Sequence, residues 1–133
     1  MNSIITTLSL AGFIAVGVGA ALGAWLRWMF ALIFNGFFPL LPFGTLLANV
    51  CGGLLAGIAV GYFAQHEHLP PVWHLFIITG FLGGFTTFST FSAEAVLLLQ
   101  RGDYWWALAH SSAHLLGSIL MCLVGYVLYR WAA

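Results

Sequence analysis

The chain has 133 residues, of which 62% are hydrophobic and 5% are Asp, Glu, Lys or Arg, with a formal net charge of zero and a mean hydropathy of +1.06. A soluble domain carries roughly 25% charged residues because its surface must be wetted, so most of this surface is expected to face lipid or protein. With no basic or acidic field, nucleic acid is excluded as a partner.

A helix needs about 20 apolar residues to cross the hydrocarbon core. Four stretches meet that length, at about 8–34, 43–64, 72–99 and 104–131. Together they predict an all-α integral membrane protein, a single transmembrane domain over 1–133. No stretch alternates like a strand, which argues against a transmembrane barrel.

The first stretch is far longer than the roughly 7–15 residues of a secretory h-region, and no Lys or Arg precedes it, so it is expected to persist as a helix. It carries Gly12, Gly19, Ala20 and Gly23, small residues that let helix backbones approach closely in lipid. Arg27 lies in its last third and either snorkels to the interface or serves a function in the membrane. Asn35-Gly36, Pro39 and Pro42 make the first turn. The second stretch repeats the small-residue pattern with Gly53, Gly57 and Gly61, and places Asn49 where it can bridge helices or donate to a ligand. Cys51 here and Cys122 in the fourth stretch belong to no CxxC or Cys/His cluster, and read as small buried hydrophobes.

The third stretch contains a run unlike the rest: Gly80, Gly83, Gly84, Thr86, Thr87, Ser89, Thr90 and Ser92, interleaved with Phe85, Phe88 and Phe91. Its midpoint falls near Phe85 and Thr86, where adjacent glycines and a β-branched pair are poor helix formers. The spacing predicts a helix broken near 83–86. Freed backbone inside a membrane must be buried in protein or line a cavity, and can hold ions. An unbroken helix, with glycines for packing and hydroxyls bonded to the preceding turn, also fits these residues. Phe85, Phe88 and Phe91 fall at i, i+3 and i+6, on one face, where ring edges can attract an anion weakly or pack against lipid. Glu94, two turns before the end, is either interfacial or functional.

Gln100-Arg101-Gly102-Asp103 forms the last turn, with Asp103 placed to cap the fourth helix. On that helix His110, His114 and Ser118 share one face; HxxxH is a metal spacing, but no third ligand is close in sequence. Core hydrogen bonding and pore lining are the other uses of this face. Arg130 lies on one side of the membrane and Arg101, with Arg27, on the other, too small a bias to fix an orientation. A single weakly biased topology and insertion in both directions fit equally well. Four helices leave little room for an aqueous path, so transport would need an oligomer.

Three groups of residues carry a family pattern: Gly23, Ala24 and Arg27; Gly44, Thr45, Leu46, Asn49 and Gly52; and Gly80, Gly83, Gly84 and Thr86 to Phe91. The chain resembles the Fluc (CrcB-type) fluoride channels from its first helix to Gly117-Ser118. The resemblance implies an antiparallel, dual-topology homodimer in the inner (plasma) membrane, with two pores passing fluoride passively out of the cell. It implies a structural sodium ion held by the backbone carbonyls of Gly83 and Thr86. Asn49, Phe88 and Phe91 match pore positions, and Ser89, Thr90 and Ser118 match a polar track. Glu94 matches a glutamate beside that track, and Arg27 an arginine near the pore entrance. Cys122 stands where relatives often have threonine, and a thiol is the weaker hydrogen-bonding group.

Two rivals remain. A small multidrug-resistance-type exporter is also a short dual-topology dimer, but it needs a carboxylate in its first helix, and 8–34 contains no Asp or Glu. A membrane enzyme or redox subunit needs ligands converging from several helices, whereas His110 and His114 lie on one.

Overall fold

A computed structural model of the chain describes residues 9–37 and 42–133; Leu8 and Pro39, counted above in the first span and its turn, lie outside them. Helix α1 is Leu10–Phe34, and Ser9 caps it by accepting the Gly12 N–H at 3.1 Å. A 3₁₀ turn, Asn35–Phe37, follows. Helix α2 is Phe43–Gln65. The Asn35 carboxamide oxygen accepts the Gly44 N–H at 2.8 Å, tying the end of α1 to the first turn of α2. Next come α3 (Pro71–His74), a wide π-helical segment π1 (Leu75–Leu82) and α4 (Gly83–Phe85), which run on as one rod. Helices α5 (Phe88–Gln100) and α6 (Tyr104–Ala132) complete the order. Among the described residues, four helical stretches, Leu10–Phe37, Phe43–Gln65, Pro71–Gln100 and Tyr104–Ala132, are long and apolar enough to cross a membrane.

Within the third stretch, Gly83 is helical (φ −61°, ψ −36°), but Thr86 (φ −82°, ψ 157°) and Thr87 (φ −149°, ψ 118°) are extended. Two glycines of this stretch have a packing use. A Cβ on Gly80 would lie 2.8 Å from the Val16 carbonyl oxygen of α1, and one on Gly84 would meet the Ala20 carbonyl oxygen. Reciprocally, a Cβ on Gly23 would lie 2.7 Å from the Phe85 nitrogen. So α1 rests against π1 and α4, backbone to backbone.

The second seam joins α2 to α6 and is comparable in extent to the first. A Cβ on Gly53 would lie 2.5 Å from the Ser118 carbonyl oxygen, and one on Gly57 would collide with that of Cys122. Gly61 faces the Tyr129 ring. This is the close approach that small residues permit where lipid supplies no hydrophobic drive between helices.

The turn from α5 to α6 closes through Gly102 at φ 80°, with Gly102 N–H to the Leu99 carbonyl at 3.0 Å and Asp103 N–H to the Leu98 carbonyl at 3.0 Å. This is a Schellman closure, and the left-handed residue in it favours glycine. Asp103 occupies the cap position of α6, but its side chain makes no cap bond; its backbone carbonyl accepts the Ala107 N–H at 2.9 Å instead.

Burial is inverted relative to a soluble protein. Leu116, Leu120, Leu123 and Trp131 are exposed, while Thr45, His110 and His114 are buried. Phe85 is also buried, edge-on to Phe30 at 5.4 Å between ring centroids. Lying before the extended pair, it does not share a face with Phe88 and Phe91.

Candidate functional site

The extended residues Thr86 and Thr87 set the geometry of the site. In an unbroken helix the Thr87 N–H would bond the Gly83 carbonyl, four residues back. Here it donates to Asn49 Oδ1 at 2.7 Å, and Asn49 Nδ2 donates to the Thr87 carbonyl at 3.0 Å. One carboxamide from α2 therefore replaces both halves of a lost backbone pairing. Such replacement is needed because a buried unpaired backbone group costs about 1–3 kcal/mol. Thr87 also starts the next helix: its Oγ1 accepts the Thr90 N–H at 3.1 Å, as an N-cap threonine does. The Thr86 hydroxyl turns back to the Leu82 carbonyl at 2.8 Å, and a Cβ on Gly52 of α2 would strike its methyl group.

Beyond Asn49 the bonding continues into α6. Asn49 Nδ2 lies 3.0 Å from His114 Nδ1. One turn earlier on α2, the Thr45 hydroxyl donates to Glu94 Oε1 at 2.7 Å. Glu94 Oε2 lies 3.6 Å from His110 Nε2, which also approaches the Phe91 carbonyl at 3.4 Å. Glu94 is thus packed among helices, with partners on α2 and α6. It also supplies what sequence spacing did not: with His110 and His114 it forms a trio whose potential ligand atoms lie within 4.8 Å of one another.

A groove of about 440 Å³ opens beside this junction, lined by Asn49, Thr87, Phe88, Phe91, His114 and Ser118, with Gly83 and Thr86 also in its wall. Phe91 stacks on His110 with centroids 5.5 Å apart and lies 5.0 Å from His114. Phe88 meets Phe91 edge to face at 5.3 Å, yet is 78% exposed, projecting from the chain. Ser89 and Thr90 do not line the groove. Ser89 is exposed, its hydroxyl 3.3 Å from Thr87 Oγ1, and the Thr90 hydroxyl accepts from Thr87 at 3.0 Å. Arg27 Nε donates to the Gly84 carbonyl at 3.1 Å, placing a cation near the last carbonyls of the rod that ends at Phe85, where the helix dipole favours it.

Residues 14–126 match the model of a family described as CrcB-like protein, Camphor Resistance (CrcB). The chain belongs to the CrcB family. The match spans every residue of the junction and groove. A relative from Cupriavidus necator is 59% identical over 122 residues, covering 92% of this chain and 97% of its own length. One from Cupriavidus pinatubonensis is 57% identical over the same coverage, and one from Nitrosospira multiformis 56% identical over 119 residues, covering 90% and 93%. Each of the three is named a fluoride-specific ion channel FluC.

Three residues of this CrcB-family chain matter to the site more than spacing suggested. Thr87 is the pivot of the junction, His114 is Asn49's second partner, and Thr45 holds Glu94. The available signal was the four-residue step from Thr45 to Asn49, which puts both on one face of α2.

Proposed function

We propose that the chain is one subunit of a passive, fluoride-selective channel, and that two antiparallel copies complete two pores along the grooves. The observation that carries this reading is the groove itself, with Asn49, Ser118 and the Phe88–Phe91 pair among its lining. Its support is that relatives at 57–59% identity are named fluoride-specific ion channels. A groove open on one side, with a phenylalanine 78% exposed beside it, calls for a covering surface, and a second copy supplies one.

Fluoride is small and strongly hydrated, so its water must be replaced by donors as it enters. Hydroxyl and amide N–H groups do this, and the electropositive ring edges of Phe88 and Phe91 attract the anion without holding it. Larger halides fit a narrow fixed path less well. An inside-negative potential favours anion exit by about 2.3 kcal/mol per charge per 100 mV. The pore lies in the inner (plasma) membrane in this reading.

The residues assigned to the structural sodium ion fit a cation. The N–H that would cover the Gly83 carbonyl goes to Asn49, and the N–H that would cover the Thr86 carbonyl goes to Thr87 Oγ1. Both oxygens are left available, and an antiparallel pair doubles the set. The ion would offset part of the negative field of these carbonyl oxygens.

Efflux from proteoliposomes, read with fluoride and chloride electrodes, tests the proposal. Fluoride should leave and chloride should stay. Equal rates, or fluoride loss no faster than from empty vesicles, would remove it.

A further inference from the structure

The Thr87–Asn49–His114 bonds fix more than a backbone position. The Thr87 N–H can only donate and the Thr87 carbonyl can only accept, so together they orient the Asn49 carboxamide, Oδ1 to the first and Nδ2 to the second. Turning the amide over would break both. Nδ2 keeps one hydrogen, and that hydrogen points at His114 Nδ1 at 3.0 Å. His114 Nδ1 must then present its lone pair, so the neutral ring carries its proton on Nε2. That Nε2 atom is buried without a hydrogen-bond partner among the described residues, and the whole side chain is almost fully enclosed (4% exposed).

This tautomer decides between two uses of the Glu94–His110–His114 trio. A metal ion at His114 Nε2 needs a lone pair there and a proton on Nδ1, which would set two donors, Nδ1–H and Asn49 Nδ2–H, against each other at 3.0 Å. His110 Nε2 is likewise committed as a donor, because the Phe91 carbonyl it approaches can only accept. The trio is therefore built of donors facing one carboxylate, and is not a cation site.

Asn49 and His114 both line the groove, so the N–H between them lies at its wall. We infer that His114 is a positioning residue that holds the second N–H of Asn49, and that a permeating anion must compete with His114 Nδ1 for it. This rests on the channel reading above. An asparagine whose N–H groups were unclaimed would bind the anion too well to release it. With His114 as a resident acceptor, each arrival exchanges one hydrogen bond for another.

Two measurements test the inference. In ¹⁵N-histidine NMR of the full chain in lipid nanodiscs, the resonance lost in His114→Asn should report a neutral ring protonated on Nε2. Protonation on Nδ1, or a shift of this resonance on adding Zn²⁺, would overturn the inference. In planar bilayers, conductance is followed against fluoride concentration. His114→Phe, which removes the acceptor, should lower the half-saturating concentration about tenfold, the factor that one ordinary hydrogen bond corresponds to. It should lower the maximal conductance as well. His114→Asn keeps an acceptor oxygen near the Nδ1 position and should restore wild-type values. An unchanged or raised half-saturating concentration in His114→Phe would overturn the inference, since mere structural damage lowers conductance without tightening the anion. If wild-type protein conducts no fluoride, the channel reading and the competition fall together, while the NMR result still decides the tautomer.

Discussion

One stripe of α2, at four-residue steps, reads Thr45, Asn49, Gly53, Gly57 and Gly61. Its first half meets the junction at Thr87 and Glu94 through hydrogen bonds; its second half meets α6 through bare backbone. In the glycine half, contact works by subtraction: no side chain intervenes, and dispersion between closely packed backbones holds the pair. In the polar half, contact works by substitution: side chains supply the bonds that extended backbone at Thr86 and Thr87 has given up. The same periodicity thus marks where helices touch in both halves, and only residue chemistry says whether a seam is for packing or for holding a deformed chain.

Breaking the glycine half should have the larger effect. Gly57→Leu forces a side chain into the Cys122 carbonyl and the Tyr126 nitrogen, neither of which can move without shifting α6. Overpacking of this kind costs about 3 kcal/mol or more. The expected outcome is loss of the folded species in size-exclusion chromatography in detergent. Breaking the polar half comes next. Asn49→Ala removes the partner of the Thr87 N–H and of its carbonyl together; both are part-buried beside the groove, so the loss is about 1–3 kcal/mol in all. Its thermal transition should fall while the helical circular dichroism at low temperature is kept.

Smaller effects sharpen the contrast. Phe88 is largely exposed in the described chain, so Phe88→Ile should leave the stability of the folded chain within about 0.5 kcal/mol. It should nevertheless slow fluoride efflux, because an aliphatic chain has no electropositive edge. Phe91→Ile should slow efflux too and also cost stability, since Phe91 packs on His110 and His114. Equal efflux in both variants and wild type would remove the ring-edge role. The mildest is Gly102→Ala, outside both halves. Space is open there, but φ is 80°, so about 1 kcal/mol of stability should be lost with efflux unchanged.

Span number, turn positions and the glycine seams were legible because each depends on local composition: length of apolar run, turn residues, small residues at helical spacing. The junction was only half legible. Poor helix formers around 83–86 led to the expectation of a break there; in the structure Gly83 is helical, Thr86 and Thr87 are extended, and the Thr87 N–H bonds Asn49, 38 positions away in sequence. Glycines 80 and 84 looked like part of the disruption and instead admit α1. The trio of Glu94, His110 and His114 was invisible in spacing, since its third member arrives from another helix. Arg27 is the same case, its partner Gly84 lying 57 residues on.

The central claim is that the Asn49–Thr87 junction forms the wall of a fluoride path. Fluoride and chloride efflux, measured side by side from proteoliposomes of wild type and of Asn49→Ala that remains helical, tests it most directly. Fluoride should leave wild-type vesicles while chloride stays, and Asn49→Ala should bring fluoride down to the rate of empty vesicles. Asn49→Ala as fast as wild type, or chloride moving as fast as fluoride, would contradict it.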